Sequence, residues 1–351
     1  MGNSCSERRR YGIFKKMTMV TVEELKDPIA DYVREHRIPG LMPVGDVRLQ
    51  PSGLIMPKEF SRYIDRIKNF QVRADDVWVI SYPKCGTTWT QEMVWLIGND
   101  LDYEGGKSKL LFQRFPFLEA VGIISESQKS GGDDDEWVFN ADTISYADDL
   151  PSPRFIKSHL PVSLLPDQIW TVKPKIIYVT RNVKDAAVSY YHHHRLWNGY
   201  TGVFPLFMQA FLEDKLVYSP FWEHVIEYKK LESEPYILIN SYEEMKKDLS
   251  SVIRKTAKFL GKSLNSDQVE KLADHLSFEK MKANSAINGE ELIKEVKQRH
   301  GLDPSDPTLT FIRRGEIDSW KIEMSPDVAR QFDIWTKKMT KGTVLESLYN
   351  N

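Results

Sequence analysis

The segment Val77 to Trp95, VWVISYPKCGTTWTQEMVW, constrains the fold more than any other stretch of the chain. Its apolar run Val77-Trp78-Val79-Ile80 is long enough for one buried parallel strand. The run ends in Tyr82-Pro83-Lys84-Cys85-Gly86-Thr87-Thr88, a turn holding a lysine, a glycine and two hydroxyls. Trp89, Met93 and Ile97 then recur at helical spacing. A strand, a tight loop and a helix together aim free backbone N–H groups at an anion. Lys84 adds a point charge, and Thr87 and Thr88 add hydroxyl donors. The loop reads as a phosphate holder. An ordinary strand-to-helix turn with a surface lysine is the competing reading, and the crowding of these groups into five residues argues against it.

Other apolar runs also end in residues that carry chemistry. In Arg154-Phe155-Ile156-Lys157-Ser158-His159-Leu160-Pro161 a short strand closes at Lys157-Ser158-His159, and a proline then turns the chain. Lys175 to Thr180 is a β-branched strand running into a helix, with Arg181 at its end and Ser189 on the helix. Tyr236 to Ser241 is a strand ending at Tyr242, and Leu276-Ser277-Phe278 supplies another ring. Phe311 to Lys321 carries the basic group Arg313-Arg314-Gly315. A histidine after a strand is more often structural than catalytic, and an arginine there can simply cap a sheet edge. His192-His193-His194 suggests a metal cluster, but consecutive helical residues point about 100° apart, so no metal is expected.

Composition sets the remaining bounds. The 351 residues, 41% hydrophobic and 28% charged, suffice for one large α/β domain. A net charge of -2 gives no general attraction to nucleic acid, so none is expected as a partner, and an anionic ligand must be held by local charge. The two cysteines, Cys5 and Cys85, do not suggest a disulfide scaffold. No apolar stretch approaches bilayer length, and the start is polar and then basic, so a cytoplasmic protein is expected. Met1-Gly2-Asn3-Ser4-Cys5-Ser6 matches the N-myristoylation pattern at Gly2. Cys5 is a palmitoylation candidate and Arg8 to Arg10 add charge, so peripheral membrane attachment is a second expectation. Chance matching, or a start at Met17 or Met19, is the alternative. Residues 1–40 read as a tail with one helix over Val22 to Arg37, and 41–351 as the domain. Pro57 to Phe70 reads as a helix. Residues 121–149 read as a long loop insertion around the acidic run Gly131 to Glu136, which lacks EF-hand spacing.

These motifs together resemble the cytosolic sulfotransferases over roughly Tyr63 to Lys337. The nucleotide-kinase loop places lysine after its last glycine, whereas Lys84 precedes Gly86. That order resembles the family's YPK-x-GTTW loop. The resemblance implies a single P-loop-like α/β domain, its central parallel sheet flanked by helices. It implies that Lys84, Cys85, Gly86, Thr87 and Thr88 grip the phosphosulfate of 3′-phosphoadenosine 5′-phosphosulfate (PAPS). K-[ST]-H-L-P implies His159 as the general base, a role a near-neutral imidazole suits, with Lys157 beside it. Arg181, Ser189, Arg313, Arg314 and Gly315 correspond to the 3′-phosphate clamp, where planar guanidinium groups bind bidentately. Trp89, Phe278 and Tyr242 correspond to the adenine site.

The implied reaction moves the sulfuryl group to a phenol, sterol or other hydrophobic alcohol, or to an amine. Lys84 and Lys157 supply counter-charge without a metal. Tyr82, Phe115, Phe117 and Tyr190 are expected to line the acceptor pocket with Lys157 and His159.

Several positions depart from the family, among them Leu276, where threonine is common, and Arg314, where the family has lysine. Asp318 replaces a second glycine of R-K-G-x-x-G-x-W-K, which questions the loop path. The dimer signature reads Lys321, Ser325, Pro326 and Arg330, whose proline and reversed charge argue against that homodimer. Two other classes stay open: an ATP-using kinase, opposed by the position of Lys84, and a silent nucleotide-binding protein, opposed by His159 and both lysines. A cysteine phosphatase is excluded, because Gln91 stands where C-x5-R needs arginine.

Overall fold

The apolar runs assemble into one parallel sheet. The computed structural model describes residues 19–124, 142–299, 301–303, 305–306 and 308–349. Strands β4 (Val77–Ile80), β5 (Phe155–Ser158), β6 (Lys175–Thr180) and β7 (Ile237–Ser241) lie in the order β5-β4-β6-β7. All three pairings are parallel, with Val77 opposite both Phe155 and Lys175. Alternate side chains of a strand point to opposite faces. Trp78, Ile80, Ile156, Ile176 and Tyr178 therefore enter one core, and Val77, Val79, Phe155, Ile177 and Val179 enter another across the sheet. Helices cover both faces, as a parallel sheet requires. At the start of β4 and β5, Arg154 donates from Nε and Nη2 to the two oxygens of Asp76, both at 2.8 Å, and both side chains are fully buried. Removing one partner of such a pair typically costs about 3–5 kcal/mol.

The order β5-β4-β6 makes the connections leave β4 and its neighbours in opposite directions, so their C-terminal ends open a crevice. The helix Thr87–Gly98 follows β4, and the helix Val183–Asn198 follows β6. Lys58–Tyr63 is a 3₁₀ turn continuing into the helix Ile64–Lys68, within the span read as helical.

The N-terminal part differs from the sequence reading. Thr21–Glu24 is strand β1, and only Pro28–Glu35 is helical. Asp27 caps that helix through Ile29 and Ala30, and Pro28 occupies its first position. Strand β1 pairs antiparallel with β2 (Asp46–Gln50), which pairs with β3 (Leu54–Pro57). Ile38 N–H donates to Asn198 at 2.9 Å, which ties the segment to the main body. The stretch read as one loop over 121–149 ends in a helix, Thr143–Asp149, capped by Asp142. Gly2, Cys5 and the acidic run lie outside the described residues. No helix among the described residues is long and apolar enough to cross a membrane.

Candidate active site

Each strand of the parallel sheet hands the chain to a residue that the sequence singles out. Ile80 leads into the Ser81–Gly86 loop, Ser158 into His159, Thr180 into Arg181 and Ser241 into Tyr242. The C-terminal ends of four parallel strands lie side by side, so these residues meet. They border a cavity of about 240 Å³.

The loop after β4 has an unusual backbone. Lys84 has φ 69° and Gly86 φ 101°. A Cβ on Gly86 would meet the Tyr242 ring at 2.8 Å, so glycine serves both the turn and the close approach of that ring. The helix Thr87–Gly98 then starts without a side-chain cap, which leaves its first N–H groups for an anion. Thr87 and Thr88 line the cavity beside it, and Ser81 Oγ lies 2.6 Å from Thr87 Oγ1.

Basic side chains surround this cradle. Lys84 Nζ lies 4.8 Å from the centre of the Phe311 ring, and Lys157 Nζ 4.0 Å from that of Phe117. Burial, with Lys157, Arg181 and Arg313 nearby, lowers the Lys84 pKa to about 7. Burial lowers that of Lys157 to about 8, and the Glu119 carboxylate opposes the shift. Arg181 stacks 4.2 Å over the Tyr242 ring and donates to the carbonyls of Lys84 at 3.2 Å and Glu316 at 2.9 Å. Arg313 and Arg314 approach Glu323 at 3.0 and 3.6 Å. Ser189 lines the same cavity.

Trp89 and Phe278 border the cavity, and the Trp89 indole donates to the Leu276 carbonyl at 2.9 Å. Gly315 has φ 65°, and a Cβ there would overlap the Phe278 ring. Asp318 occupies the left-handed region at φ 61°, which explains why glycine suits that position and how aspartate still fits it. Its carboxylate pairs with Lys321 at 2.7 Å instead of entering the cavity.

His159 is the best-defined group. Its Nδ1 lies 2.6 Å from the Ser81 carbonyl, which can only accept, so Nδ1 carries the proton and Nε2 keeps its lone pair. Burial, then the Lys157 charge, holds its pKa well below the ordinary value, so the ring is neutral. Its backbone N–H donates to Glu119 at 2.5 Å. Glu119 is fully buried, which pushes its pKa up to about 7. Glu119 escaped the sequence reading, although a lone carboxylate inside Pro116-Phe117-Leu118-Glu119-Ala120-Val121 was a usable signal. His193, read above only as part of a histidine run, also lines the cavity, and Tyr218, Ile123 and Lys246, which line it too, were missed. The last three come from segments with no motif of their own.

Three expected residues are not on the wall. Tyr82 is fully buried and packs edge-on to Phe221 at 4.9 Å and Tyr190 at 5.9 Å. Phe115 packs against Phe155 in the other core, with ring centres 5.6 Å apart. Both point away because packing against the sheet claims their side of the backbone, whereas Phe117 and Tyr190 do border the cavity. Cys85 is likewise buried, its thiol pushed up to about 12 by that burial, so its side chain cannot serve an anion. The three consecutive histidines diverge. His192 meets Glu323 at 2.6 Å, His193 faces the cavity, and His194 lies 3.1 Å from Asn198.

Residues 74–344 match the family model described as sulfotransferase domain. The chain belongs to the sulfotransferase family. It is 45% identical to luciferin sulfotransferase of Photinus pyralis over 81% of this chain and 76% of that one. It is 32% identical to sulfotransferase 1E1 of Homo sapiens over 84% and 93%. A solved structure of retinol dehydratase with androsterone and the inactive cofactor PAP superposes with a TM-score of 0.82, at 31% identity over 93% and 97% of the two chains. Sulfotransferases use PAPS, so the protein is a PAPS-dependent sulfuryl-transfer enzyme.

Proposed function

We propose that this sulfotransferase moves the sulfuryl group of PAPS to a hydroxyl of a small hydrophobic acceptor, with His159 as general base. The observation that carries the reading is the 2.6 Å bond from His159 Nδ1 to the Ser81 carbonyl, because it leaves Nε2 able to take a proton inside the cavity. The cradle fits the donor chemically. Lys84, Thr87, Thr88 and the helix start suit a phosphosulfate, and Arg181, Ser189, Arg313 and Arg314 suit a 3′-phosphate. Trp89, Phe278 and Tyr242 offer ring faces and edges to adenine, and Gly86 and Gly315 leave room for those rings.

PAPS supplies an activated sulfuryl group with PAP as leaving group. As the acceptor oxygen bonds to sulfur and the bridging S–O bond breaks, His159 takes the acceptor proton. Lys84 and Lys157 offset charge developing on the sulfuryl and bridging oxygens. The acceptor side of the cavity, with Phe117, Tyr190 and Tyr218, suits a flat apolar molecule, in keeping with androsterone in one relative and luciferin in the name of another.

The test is a panel of phenols, sterols and alcohols with labelled PAPS. His159→Ala is expected to lower transfer roughly 10²–10⁴-fold, while calorimetry shows PAP still bound. Wild-type turnover in that variant would remove His159 from the chemistry.

A further inference from the structure

One polar ring on the cavity wall has no task in this chemistry. His193 projects from the helix Val183–Asn198 into the cavity that also holds Lys84, Lys157 and His159. Its ring lies near-parallel to Tyr190, with centres 5.9 Å apart, and 6.3 Å from that of Trp197. Its Nδ1 is buried and, among the described residues, has no hydrogen-bond partner. His159 Nδ1 meets Ser81, His192 Nε2 meets Glu323 and His194 Nδ1 meets Asn198, whereas His193 makes no hydrogen bond among the described residues, although His192 Nδ1 is likewise unpartnered. Burial, then the charges of Lys84, His194 and Lys157, keeps His193 well below its ordinary pKa. The ring is therefore neutral and offers one donor and one acceptor nitrogen. Nδ1 is closed off from the cavity, so Nε2, which makes no hydrogen bond among the described residues, is the nitrogen a bound molecule can reach. The cavity is also lined by the apolar or aromatic side chains of Phe117, Ile123 and Tyr218.

We propose that His193 reads the acceptor, its imidazole hydrogen-bonding a second heteroatom of an aromatic hydroxyl compound. The enzyme then favours phenols that carry a ring nitrogen or carbonyl over hydrocarbon phenols of the same shape. This rests on the sulfotransferase reading above and adds a substrate feature to it.

Matched acceptors test the idea: 6-hydroxyquinoline against 2-naphthol, 5-hydroxyquinoline against 1-naphthol, and 4-hydroxyacetophenone against 4-ethylphenol. The readout is the kcat/KM ratio within each pair for the wild type, His193→Phe and His193→Gln. A preference of roughly tenfold to a hundredfold is expected for at least one heteroatom-bearing member in the wild type. His193→Phe should bring that ratio to near one, and His193→Gln should keep part of it. PAP affinity reports that each variant is folded. Ratios near one for every wild-type pair would overturn the proposal. So would equal losses in both members of a pair on substitution, which mark a purely structural ring. A wild type that binds PAP yet uses none of the six also overturns it while leaving the donor assignment standing. Failure to bind PAP at all would instead bring down the functional reading itself.

Discussion

Binding of PAP should draw protons from solution above neutral pH, and Lys84 sets the size of the effect. In the free site burial holds Lys84 at a pKa of about 7 and Lys157 at about 8. A bound anion favours the charged ammonium and raises both values. Groups with a higher pKa in the complex contribute affinity that is complete below the free-state pKa and falls as pH rises through it. The nucleotide's phosphates, with a second pKa near 6, are fully ionised above pH 7, so the window from pH 7 to 9 reports the lysines. At pH 9 a lysine of pKa 7 is protonated in about one free molecule in a hundred, and one of pKa 8 in about one in ten. Affinity for PAP should therefore fall roughly a hundredfold from the acid plateau to pH 9 through Lys84, with up to about tenfold more through Lys157. Titration calorimetry in buffers of different ionisation enthalpy should show uptake of about one to two protons at pH 9. Lys84→Arg keeps a charge that does not titrate in this range and should remove about one of those protons. Equal affinity at pH 7 and pH 9, or an unchanged proton count in Lys84→Arg, would refute the reasoning.

Two further outcomes follow from the cradle. Gly315→Ala forces a side chain into the left-handed region and onto the Phe278 ring, so it should lower stability by about 1–3 kcal/mol and weaken PAP binding, read by thermal melting and calorimetry. Arg181→Gln should reduce PAP affinity roughly tenfold or more while changing AMP affinity little, because charge-assisted bonds to the extra phosphate are the strong ones; equal losses for the two nucleotides would place Arg181 elsewhere.

The strand-loop-helix unit at Val77–Gly98 was legible because its determinants are local: an apolar run, a glycine at positive φ and a helix periodicity within two dozen residues. The same holds for His159 and Arg181, which follow recognisable strands directly. Strand β1 was not legible, since all four of its residues are exposed and only pairing with β2 defines it. The helix Thr143–Asp149 was lost because a polar insertion masked a clear cap at Asp142.

Sequence alone thus determined the parallel sheet's strands, the anion loop and the groups that directly follow the strand ends, because the ends of parallel strands lie together wherever the chain places them in the sheet. Tertiary packing decided which side of each strand end faces the cavity. Tyr82 and Phe115 are as aromatic as Tyr190 and Phe117, yet the first pair fills core space and the second borders the site. Side-chain direction depends on what lies across the gap, and Glu119 under His159 and the unpartnered ring of His193 owe their character to neighbours remote in sequence.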